Sequence, residues 1–323
     1  MLLFLLVGLR TPASGQGETI YASVLNSREH QWGRADNPVT GLFVSTDAGM
    51  SWMHRGWKEY IRTFYAEQGP DATIWEACGN GVLRSTDGGV MWRVTTGWEV
   101  TEVLKVKVDP VDPLTVFAST AYGIIKSTNG GERWSSLPDG FHSRFTADVC
   151  INRRERNHIL AATEEGIYAS NDGGAHWALS GLPGKGIRVI VQDLHEDGTF
   201  WVGTEEDGLF CSTDRGREWH QKNEGLRHRT IYCVALDPKN PAILFAGTHG
   251  GGVYRTDNGG KTWGQKINGL SNLDIHSLAV LKSDSGVIFA GTLNDGLFKS
   301  TDGGNTWVFN SQKGAQVWGL SVR

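Results

Sequence analysis

The sequence predicts an all-β protein, a single seven-bladed β-propeller in which each blade has four strands. Two observations lead to this prediction. Short β-rich runs separated by glycine turns extend along the 323 residues, which include 43 glycines and no long run with helical periodicity. In addition, one short phrase recurs seven times at a nearly constant interval, which indicates a repeat architecture.

The recurring phrase has the pattern S-x-D-x-G-x-x-W. Its seven copies occupy residues 45–52, 85–92, 127–134, 170–177, 212–219, 256–263 and 300–307. Thr replaces Ser at Thr256, and Asn replaces Asp at Asn129 and Asn258. Successive tryptophans are 40 to 44 residues apart, a period that is typical of blades with four short strands.

Each complete repeat predicts four strands, which in the sixth repeat cover residues 231–236, 243–248, 253–256 and 261–266. The first repeat predicts only three strands, at residues 19–24, 41–45 and 51–55. Residues 317–323 form a surplus strand with the pattern of an innermost strand. We expect this strand to complete the first blade and close the ring, because closure removes exposed sheet edges.

The residue types of the phrase are those of a self-supporting turn. A Ser or Thr hydroxyl and an Asp or Asn side chain can bond nearby main-chain amides. Gly accepts a positive φ, and Trp is large enough to fill the gap between two blades. The phrase therefore predicts a structural brace in each blade, and seven separate carboxylate sites are the alternative.

The motif resembles the Asp-box, or bacterial neuraminidase repeat, and the resemblance covers essentially all of residues 17–323. It implies a turn between the third and fourth strands of each blade, on the face opposite the ligand site. The residues to which it assigns this structural role are Asp47, Asp87, Asn129, Asp172, Asp214, Asn258 and Asp302, with Trp52, Trp92, Trp134, Trp177, Trp219, Trp263 and Trp307.

The second residue of each innermost strand varies while its neighbours stay aliphatic. Aligned on those neighbours, the position reads Arg62, Leu104, Ala147, Arg188, Tyr232, His276 and Trp318. Such positions are expected to line the mouth of the central channel. We predict that Arg62, Arg188, Tyr232, His276 and Trp318 converge there on an anionic or aromatic group. Random surface variation is the alternative.

A second candidate region is the loop at residues 26–40, far longer than the equivalent turns of the other blades. A long insertion in one of several equivalent turns is often a binding or lid element. Its candidate binding residues are Arg28, Trp32 and Arg34, and a tolerated insertion without function is the alternative.

Two further features on the same predicted face favour structural interpretations. Trp57 and Trp98 resemble exposed aromatic platforms, but equivalent positions in other blades are also apolar, which favours a structural plug. The acidic turns at residues 164–165 and 205–207 could attract a cation, although solvated turns are the favoured interpretation.

An enzymatic function has little support in the residues. Sialidases of the Asp-box type would show an Arg-Ile-Pro motif, three arginines around the substrate carboxylate and a Tyr–Glu pair. The chain has no Arg-Ile-Pro motif, and no third clamp arginine or partnered Glu is evident. Xyloglucanase-type enzymes use two propellers, whereas this sequence predicts one.

The non-enzymatic relatives fit better. The sequence is similar in size, blade count and apparent export to the photosystem II assembly and stability factor family, and sortilin-type receptors use a larger ring. These resemblances imply polypeptide binding. We therefore predict an exported, non-catalytic scaffold that binds a protein partner through the face without Asp-boxes. A membrane complex is one candidate for this partner. The alternative is a carbohydrate-active protein, either a glycoside hydrolase such as a sialidase-like enzyme or a glycan-binding lectin.

Composition narrows the remaining possibilities. The 31 basic and 35 acidic residues give a formal charge of −4, which argues against a nucleic-acid partner. The four cysteines lack metal-ligand spacing, so we predict buried hydrophobes and neither metal nor cofactor, with a disulfide as the alternative. Residues 1–16 resemble an export signal, which implies a periplasmic or extracellular protein, and a buried or frayed terminus is the alternative. No transmembrane segment is predicted, and we expect a monomer.

Overall fold

The structure, a computed structural model, describes residues 17–25, 40–57, 61–136, 141 and 145–323. Within these residues it confirms the predicted all-β fold, with seven four-stranded antiparallel sheets arranged as the blades of a propeller. The predicted export signal, residues 1–16, lies outside the described residues. The described part of the chain contains no helix of the length and hydropathy needed to cross a bilayer.

The strands follow in chain order within each blade, except that the last strand of the chain is innermost in blade 1. From the innermost strand outward, the first three blades are β28 (Gln316–Val322), β1 (Ile20–Leu25), β2 (Gly41–Ser45) and β3 (Met53–His54); β4 (Thr63–Gln68), β5 (Ile74–Cys78), β6 (Gly81–Ser85) and β7 (Arg93–Val94); and β8 (Val103–Val108), β9 (Val116–Thr120), β10 (Gly123–Ser127) and β11 (Ser135–Ser136).

The other four blades follow the same order without exception. They are β12 (Thr146–Ile151), β13 (Ile159–Thr163), β14 (Gly166–Ser170) and β15 (Ala178–Gly181); β16 (Ile187–Gln192), β17 (Phe200–Thr204), β18 (Leu209–Ser212) and β19 (His220–Gln221); β20 (Ile231–Leu236), β21 (Leu244–Thr248), β22 (Gly252–Thr256) and β23 (Gly264–Lys266); and β24 (Ile275–Val280), β25 (Ile288–Thr292), β26 (Leu297–Ser300) and β27 (Val308–Ser311).

Strand β28 closes the ring, as the surplus strand at residues 317–323 predicted. It pairs antiparallel with β1, from Ile20 opposite Val322 to Leu25 opposite Gln316. Thr19 and Arg323 extend this pairing, since each donates its main-chain N–H to the carbonyl oxygen of the other at 2.9 Å. Strand β28 also contacts the innermost strands of both neighbouring blades, β24 and β4. The two ends of the described chain therefore stabilise one blade together.

The seven S-x-D-x-G-x-x-W turns, here called the box turns, connect the third and fourth strands of every blade. In the last box turn Ser300 Oγ donates to Asp302 Oδ1 at 2.8 Å and accepts the Gly304 N–H at 2.8 Å. Asp302 Oδ1 also accepts the Thr306 N–H at 2.8 Å. The same three bonds recur in the other six turns. Each turn is therefore held by its own side chains.

The core lies mainly between adjacent blades, and the box tryptophans help to fill it. Trp177 of blade 4 is buried in a cluster with Phe117 and Ile124 of blade 3. Trp307 of blade 7 packs in the same way against blade 6, and its indole N–H donates to the Lys266 carbonyl there at 3.1 Å. The prediction that each tryptophan fills an inter-blade gap is correct.

The outermost strands are shorter than the sequence predicts. The fourth strand of blade 6 begins at Gly264 and not at residue 261, because residues up to Trp263 belong to the box turn. The indole of Trp263 is turned inward and donates to the Lys222 carbonyl of blade 5. Packing of the tryptophan between blades thus delays the start of the outer strand.

The cysteines occupy separate places in this core. All four are unpaired, and Cys78, Cys211 and Cys233 are buried whereas Cys150 is half-buried. The structure therefore agrees with their interpretation as small hydrophobes and shows no disulfide among them. Within the described residues, no three His, Cys, Asp or Glu side chains lie close enough together to hold a metal ion.

Antiparallel pairing places different turns on the two faces of the propeller. Strand direction alternates across each blade, so the turns joining the first to the second strand share a face with the box turns. This face is called the box face. The turns joining second and third strands, together with the connections between blades, form the opposite face, which is called the box-free face. The innermost strands begin at the box-free face.

Candidate functional site

Every innermost strand carries a β-bulge near the box-free face. In blade 6, for example, Ile231 pairs with Thr248 and Cys233 with Gly247, which leaves Tyr232 between them without a partner. A bulge adds one residue to one strand and redirects its side chain. The seven bulge residues are Phe64, Leu104, Ala147, Arg188, Tyr232, His276 and Trp318. The sequence alignment found six of these positions.

Arg62 is the exception, and its alignment was wrong by two residues. Strand β4 begins at Thr63, and its bulge lies between Thr63 and Tyr65, which places Phe64 at the aligned position. In the sequence Ile61 resembles the aliphatic residue that starts the other innermost strands, which shifts the alignment. The buried Thr63 fills that position, since Thr is also β-branched. Arg62 instead pairs with Glu102 of blade 3 at 2.7 Å.

Six of the seven bulge residues line one cavity at the box-free end of the channel, here called the cup. The cup has a volume of about 180 Å³. Its lining consists of Leu104, Lys105, Phe145, Ala147, Arg188, Tyr232, His276 and Trp318, which come from six blades. The predicted residues Arg188, Tyr232, His276 and Trp318 are therefore brought together, whereas Arg62 does not line the cup.

Aromatic rings form a continuous arc along one side of the cup. Tyr232 stacks on His276 with ring centroids 4.3 Å apart, and His276 lies 4.5 Å from Trp318. Trp318 then meets the buried Phe64 edge to face at 5.8 Å. At the other end of the arc, Tyr232 lies 5.9 Å from His249. At the bulge position the blades opposite the arc carry Ala147 and Leu104, and Phe145 and Lys105 from the same blades also line the cup.

His276 is the most perturbed ionisable group of the arc. Its Nε2 atom is buried and has no hydrogen-bond partner among the residues that the structure describes. Burial lowers the pKa of His276 to about 4, with nearby Asp274 acting in the opposite direction. Burial also raises the pKa of Tyr232. At neutral pH both rings are therefore uncharged and present largely apolar surface.

Arg188 supplies a cation at the rim of the cup. Its guanidinium pairs with Glu205, which lies in the turn after β17, at 2.5 Å. The adjacent Asp207 pairs with Lys185 at 2.8 Å. The turn at residues 205–207 is largely exposed, as expected for a solvated turn, and two of its carboxylates also pair with basic neighbours.

Lys105 forms the floor of the cup, and the sequence analysis did not identify it. Its Nζ lies 4.0 Å from the centroid of the Tyr65 ring. Lys107, two residues further along β8, lies 4.7 Å from the same centroid. Lys107 Nζ also contacts Glu67 Oε2 at 2.7 Å and the Tyr65 hydroxyl at 3.0 Å. In the sequence, only the alternation of charged and apolar residues in β8 could have pointed to Lys105.

This layer of charged and phenolic groups separates the cup from a second cavity. The second cavity opens at the box face and has a volume of about 460 Å³. Tyr65 and Glu67 line it, together with Arg153 and aliphatic residues of several blades. The two cavities share no lining residue among those that the structure describes. The two ends of the channel therefore offer different surfaces.

The remaining candidates have mixed outcomes. Trp98 is 93% exposed, so the interpretation of this position as a structural plug is wrong for Trp98. It is correct for Leu226, the equivalent residue of blade 5, which is buried. Tyr122, in the neighbouring turn of blade 3, is also exposed. Arg28, Trp32 and Arg34 lie outside the described residues, so their role stays a prediction.

Comparison with known proteins identifies the family and the fold. The profile of the DUF6242 beta propeller domain matches residues 107–316. A search of curated proteins found no significant match. Among solved structures, a GH74 enzyme from Niastella koreensis is 17% identical with a TM-score of 0.73, over 93% of this chain and 55% of that enzyme. The chain thus spans about half of the length of that relative.

Two structures of another protein, YCF48, are similar in extent as well as in fold. YCF48 from Cyanidioschyzon merolae is 18% identical with a TM-score of 0.60, over 87% of this chain and 95% of YCF48. A structure of YCF48 bound to D1 peptide is 17% identical with a TM-score of 0.59, over 81% of this chain and 92% of that one. At these identities the likeness concerns the fold alone.

Proposed function

We propose, given that this chain belongs to the DUF6242 beta propeller domain family, that it is an exported, non-catalytic scaffold that binds a polypeptide. Binding would use the box-free face, with the cup as its centre. In this proposal residues 17–323 form the binding domain and residues 1–16 direct export. The box turns would be Asp-boxes with a purely structural role, in keeping with their shared hydrogen bonds.

The observation that carries the proposal is the convergence of bulge residues in the cup. The box turns repeat with the same bonds in every blade, whereas the bulge position differs in every blade and places Arg188, Tyr232, His276 and Trp318 around one cavity. Aromatic residues and Arg are enriched in the energetic centres of protein interfaces. A cavity of about 180 Å³ would accept one aromatic or acidic side chain of a bound peptide.

The similarity to YCF48 supports a polypeptide as the ligand. That protein has been solved bound to a D1 peptide, and this chain covers nearly all of its length. The similarity does not extend to particular residues, so the cup itself has to be tested. A partner captured through this face would place the chain among scaffold or assembly proteins.

The test is capture of partners from the native envelope fraction on the immobilised chain. We expect the double variant Arg188→Gln with Tyr232→Leu to lose at least about 90% of the bound partner, because both substitutions remove polar atoms of the cup. Mass spectrometry would identify the partner, and urea unfolding would check that the variant remains folded.

Two control variants make this experiment specific. Arg62→Ala changes an arginine outside the cup and should leave capture intact. Val90→Lys with Met91→Lys changes exposed apolar residues of the box face, and it should also leave capture intact. Equal capture by the cup variant and the wild type would reject the proposed site. Loss in the box-face variant alone would move the interface to the opposite face.

A carbohydrate-active protein is the second candidate, and the similarity to a GH74 enzyme favours it. Trp98 and Tyr122 would supply exposed aromatic surface for sugar rings on the box-free face. However, glycoside hydrolysis needs two carboxyl groups about 5 to 10 Å apart. The described residues that line the cup include no carboxylate. Release of reducing sugar from xyloglucan by the purified chain would favour this candidate over the scaffold.

A further inference from the structure

The floor of the cup holds an amine in an unusual position. Lys105 and Lys107 both lie against the Tyr65 ring, but they serve different cavities. Lys105 lines the cup, whereas Lys107 lines a cavity at the box-face end of the channel. Lys107 is bound to Glu67 at 2.7 Å. No ion pair joins Lys105 to a carboxylate within the part of the chain that the structure describes.

Two other lysines show that contact with a ring is not by itself unusual here. Lys126 lies 5.2 Å from the Phe117 centroid and donates to the Gly173 carbonyl at 2.8 Å. Lys299 lies 5.5 Å from the Phe289 centroid and donates to the Ala48 carbonyl at 2.7 Å. Each of these ammonium groups thus has an oxygen acceptor. Lys105 differs because it faces an open cavity and has a second amine, Lys107, on the same ring.

The charges around Lys105 come from several strands. Burial lowers the pKa of Lys105, and the ammonium of Lys107 acts in the same direction, whereas Asp148 on β12 and Glu67 on β4 oppose it. The Asp148 carboxylate attracts the Lys105 ammonium, but its hydrogen bonds are accepted from the Val149 and Ile190 main-chain N–H groups. Its own pKa is raised by burial.

The groups that face Lys105 from the remaining elements do not offset the lowering of its pKa. From the cup side, Arg188 on β16 is a cation, and His276 on β24 is neutral at neutral pH. Tyr232 on β20 is uncharged, because burial raises the pKa of its phenol. The Cys233 thiol, also on β20, stays protonated because burial raises its pKa to about 12. The surroundings therefore hold the pKa of Lys105 below that of an exposed lysine.

We propose that Lys105 is a nucleophilic amine that captures aldehydes or ketones with a flat ring entering the cup from the box-free face. The geometry supports this on two counts. The amine lies at the floor of a cavity of about 180 Å³, and the arc of Tyr232, His276 and Trp318 forms a wall on which a ring would stack. This activity does not depend on the proposed polypeptide function, because it requires the purified chain only.

The reaction balances without any oxidant or reductant. The lone pair of Lys105 Nζ attacks the carbonyl carbon, and a C–N bond forms as the carbonyl π electrons move to oxygen. The resulting carbinolamine loses its oxygen as water, which takes up protons that the amine released. The product is an imine between Nζ and the former carbonyl carbon. Desolvated lysines next to another cationic group are known to react in this way.

The test uses benzaldehyde as the probe and cyanoborohydride to trap the imine, followed by peptide mapping by mass spectrometry. At neutral pH we expect Lys105 to be benzylated several-fold faster than Lys126, Lys299 and the exposed Lys261, which serve as internal controls. The labelling rate of Lys105 should also reach its plateau at a lower pH than theirs. Labelling of Lys105 no faster than that of Lys261 would overturn the proposal.

Two variants distinguish reaction inside the cup from reaction at surface lysines. Lys105→Arg keeps the charge but removes the nucleophile, so the fast phase of labelling should disappear while the slower phase stays. Ala147→Trp should fill the cup and slow labelling of Lys105 to the rate of Lys261, with urea unfolding as the check on folding. Undiminished labelling in the folded Ala147→Trp variant would mean that the aldehyde does not enter through the cup, and the proposal would fail. Because partner capture is measured separately, either proposal can fail alone.

Discussion

At the residue scale, the second glycine of the box turn is the most constrained position. Gly260 has a φ of +75°, and a Cβ added there would lie 2.5 Å from the Trp201 ring of the preceding blade. The preceding Gly259 has a φ of +66° but no atom within 4 Å of such a Cβ. Blades 1 and 5 carry Ala48 and Arg215 at the position equivalent to Gly259, at φ of 55° and 68°. In blade 6, therefore, the second glycine is needed for space and the first is not.

This pair of glycines gives a matched prediction. Gly260→Ala should lower the free energy of unfolding by about 2 to 4 kcal/mol, because it adds both backbone strain and a clash with an indole. Gly259→Ala should cost only about 1 kcal/mol, from strain alone. Urea unfolding of both variants is the measurement. Equal losses would show that the clash with Trp201 relaxes without cost.

A buried acid, Glu76 of β5, makes stability depend on pH. Burial raises the pKa of Glu76 to about 8, and a weak bond from the Cys78 thiol acts in the opposite direction. A pKa that is raised in the folded state means that stability is fully present below the unfolded value. It is then lost as the pH rises through about 8.

Replacing this acid should therefore remove part of the pH dependence. Glu76→Gln cannot ionise, so at about pH 9 it should be more stable than the wild type by on the order of a few kcal/mol. The difference should shrink toward about pH 5, where both side chains are neutral. Urea midpoints at the two pH values measure this, with the exposed Glu196→Gln as control. A constant difference at both values would contradict the assignment.

At the scale of the element, each box turn combines hydrogen bonds within the turn with a tryptophan contact to the preceding blade. The hydroxyl and carboxylate hold the backbone, and the tryptophan packs against the preceding blade. Asn258 shows how the turn tolerates an amide. Thr306 donates its hydroxyl to Asp302 at 2.6 Å, whereas Asn258 donates its amide to the Thr262 hydroxyl at 2.8 Å. The direction of the bond reverses while the contact persists.

Truncation of a box tryptophan tests the packing part of this element. Trp177 is 4% exposed and lies 5.5 Å from the Phe141 ring. Trp177→Ala should lower the free energy of unfolding by about 3 to 5 kcal/mol, as expected for a large buried aromatic side chain. Trp98→Ala is the matched control, because this exposed indole should contribute less than about 0.5 kcal/mol. A wild-type melting temperature for Trp177→Ala would contradict the bracing role.

At the scale of the whole molecule, ring closure depends on β28. Val317 is fully buried in the cluster between blades 7 and 1, and its carbonyl accepts the Ser277 hydroxyl at 2.9 Å. Without β28, the innermost position of blade 1 would be empty, and β24 and β4 would each lose a neighbour. The stability of blades 1, 2 and 7 is thus linked to β28, which is distant in sequence from the other strands of its sheet.

A valine pair measures this contribution. Val317→Ala should cost about 1.5 to 3 kcal/mol, since two buried methyl groups are lost at the closing strand. Val308→Ala, in the exposed outermost strand β27, should cost less than about 0.5 kcal/mol. Urea unfolding followed by fluorescence gives both values. A cost for Val317→Ala as small as that for Val308→Ala would mean that β28 adds little to closure.

The amino-acid sequence was sufficient to predict the repeat, the number of blades, the position of the box turns and the closing strand. These features depend on local chemistry that recurs every 40 to 44 residues, so each copy supports the others. The sequence also located six of the seven bulge positions, because the aliphatic pattern around them is periodic. It missed Phe64, since Thr63 replaces the expected aliphatic residue.

Which side chains share a cavity became visible only in three dimensions. Lys105 and Lys107 are alike in the sequence, yet they face different ends of the channel because Tyr65 and Glu67, from another blade, lie between those ends. Arg188 and Trp318 line the same cavity only because β28 closes the ring. Such convergence depends on strands that are far apart in the chain, and a local pattern does not encode which of them become neighbours.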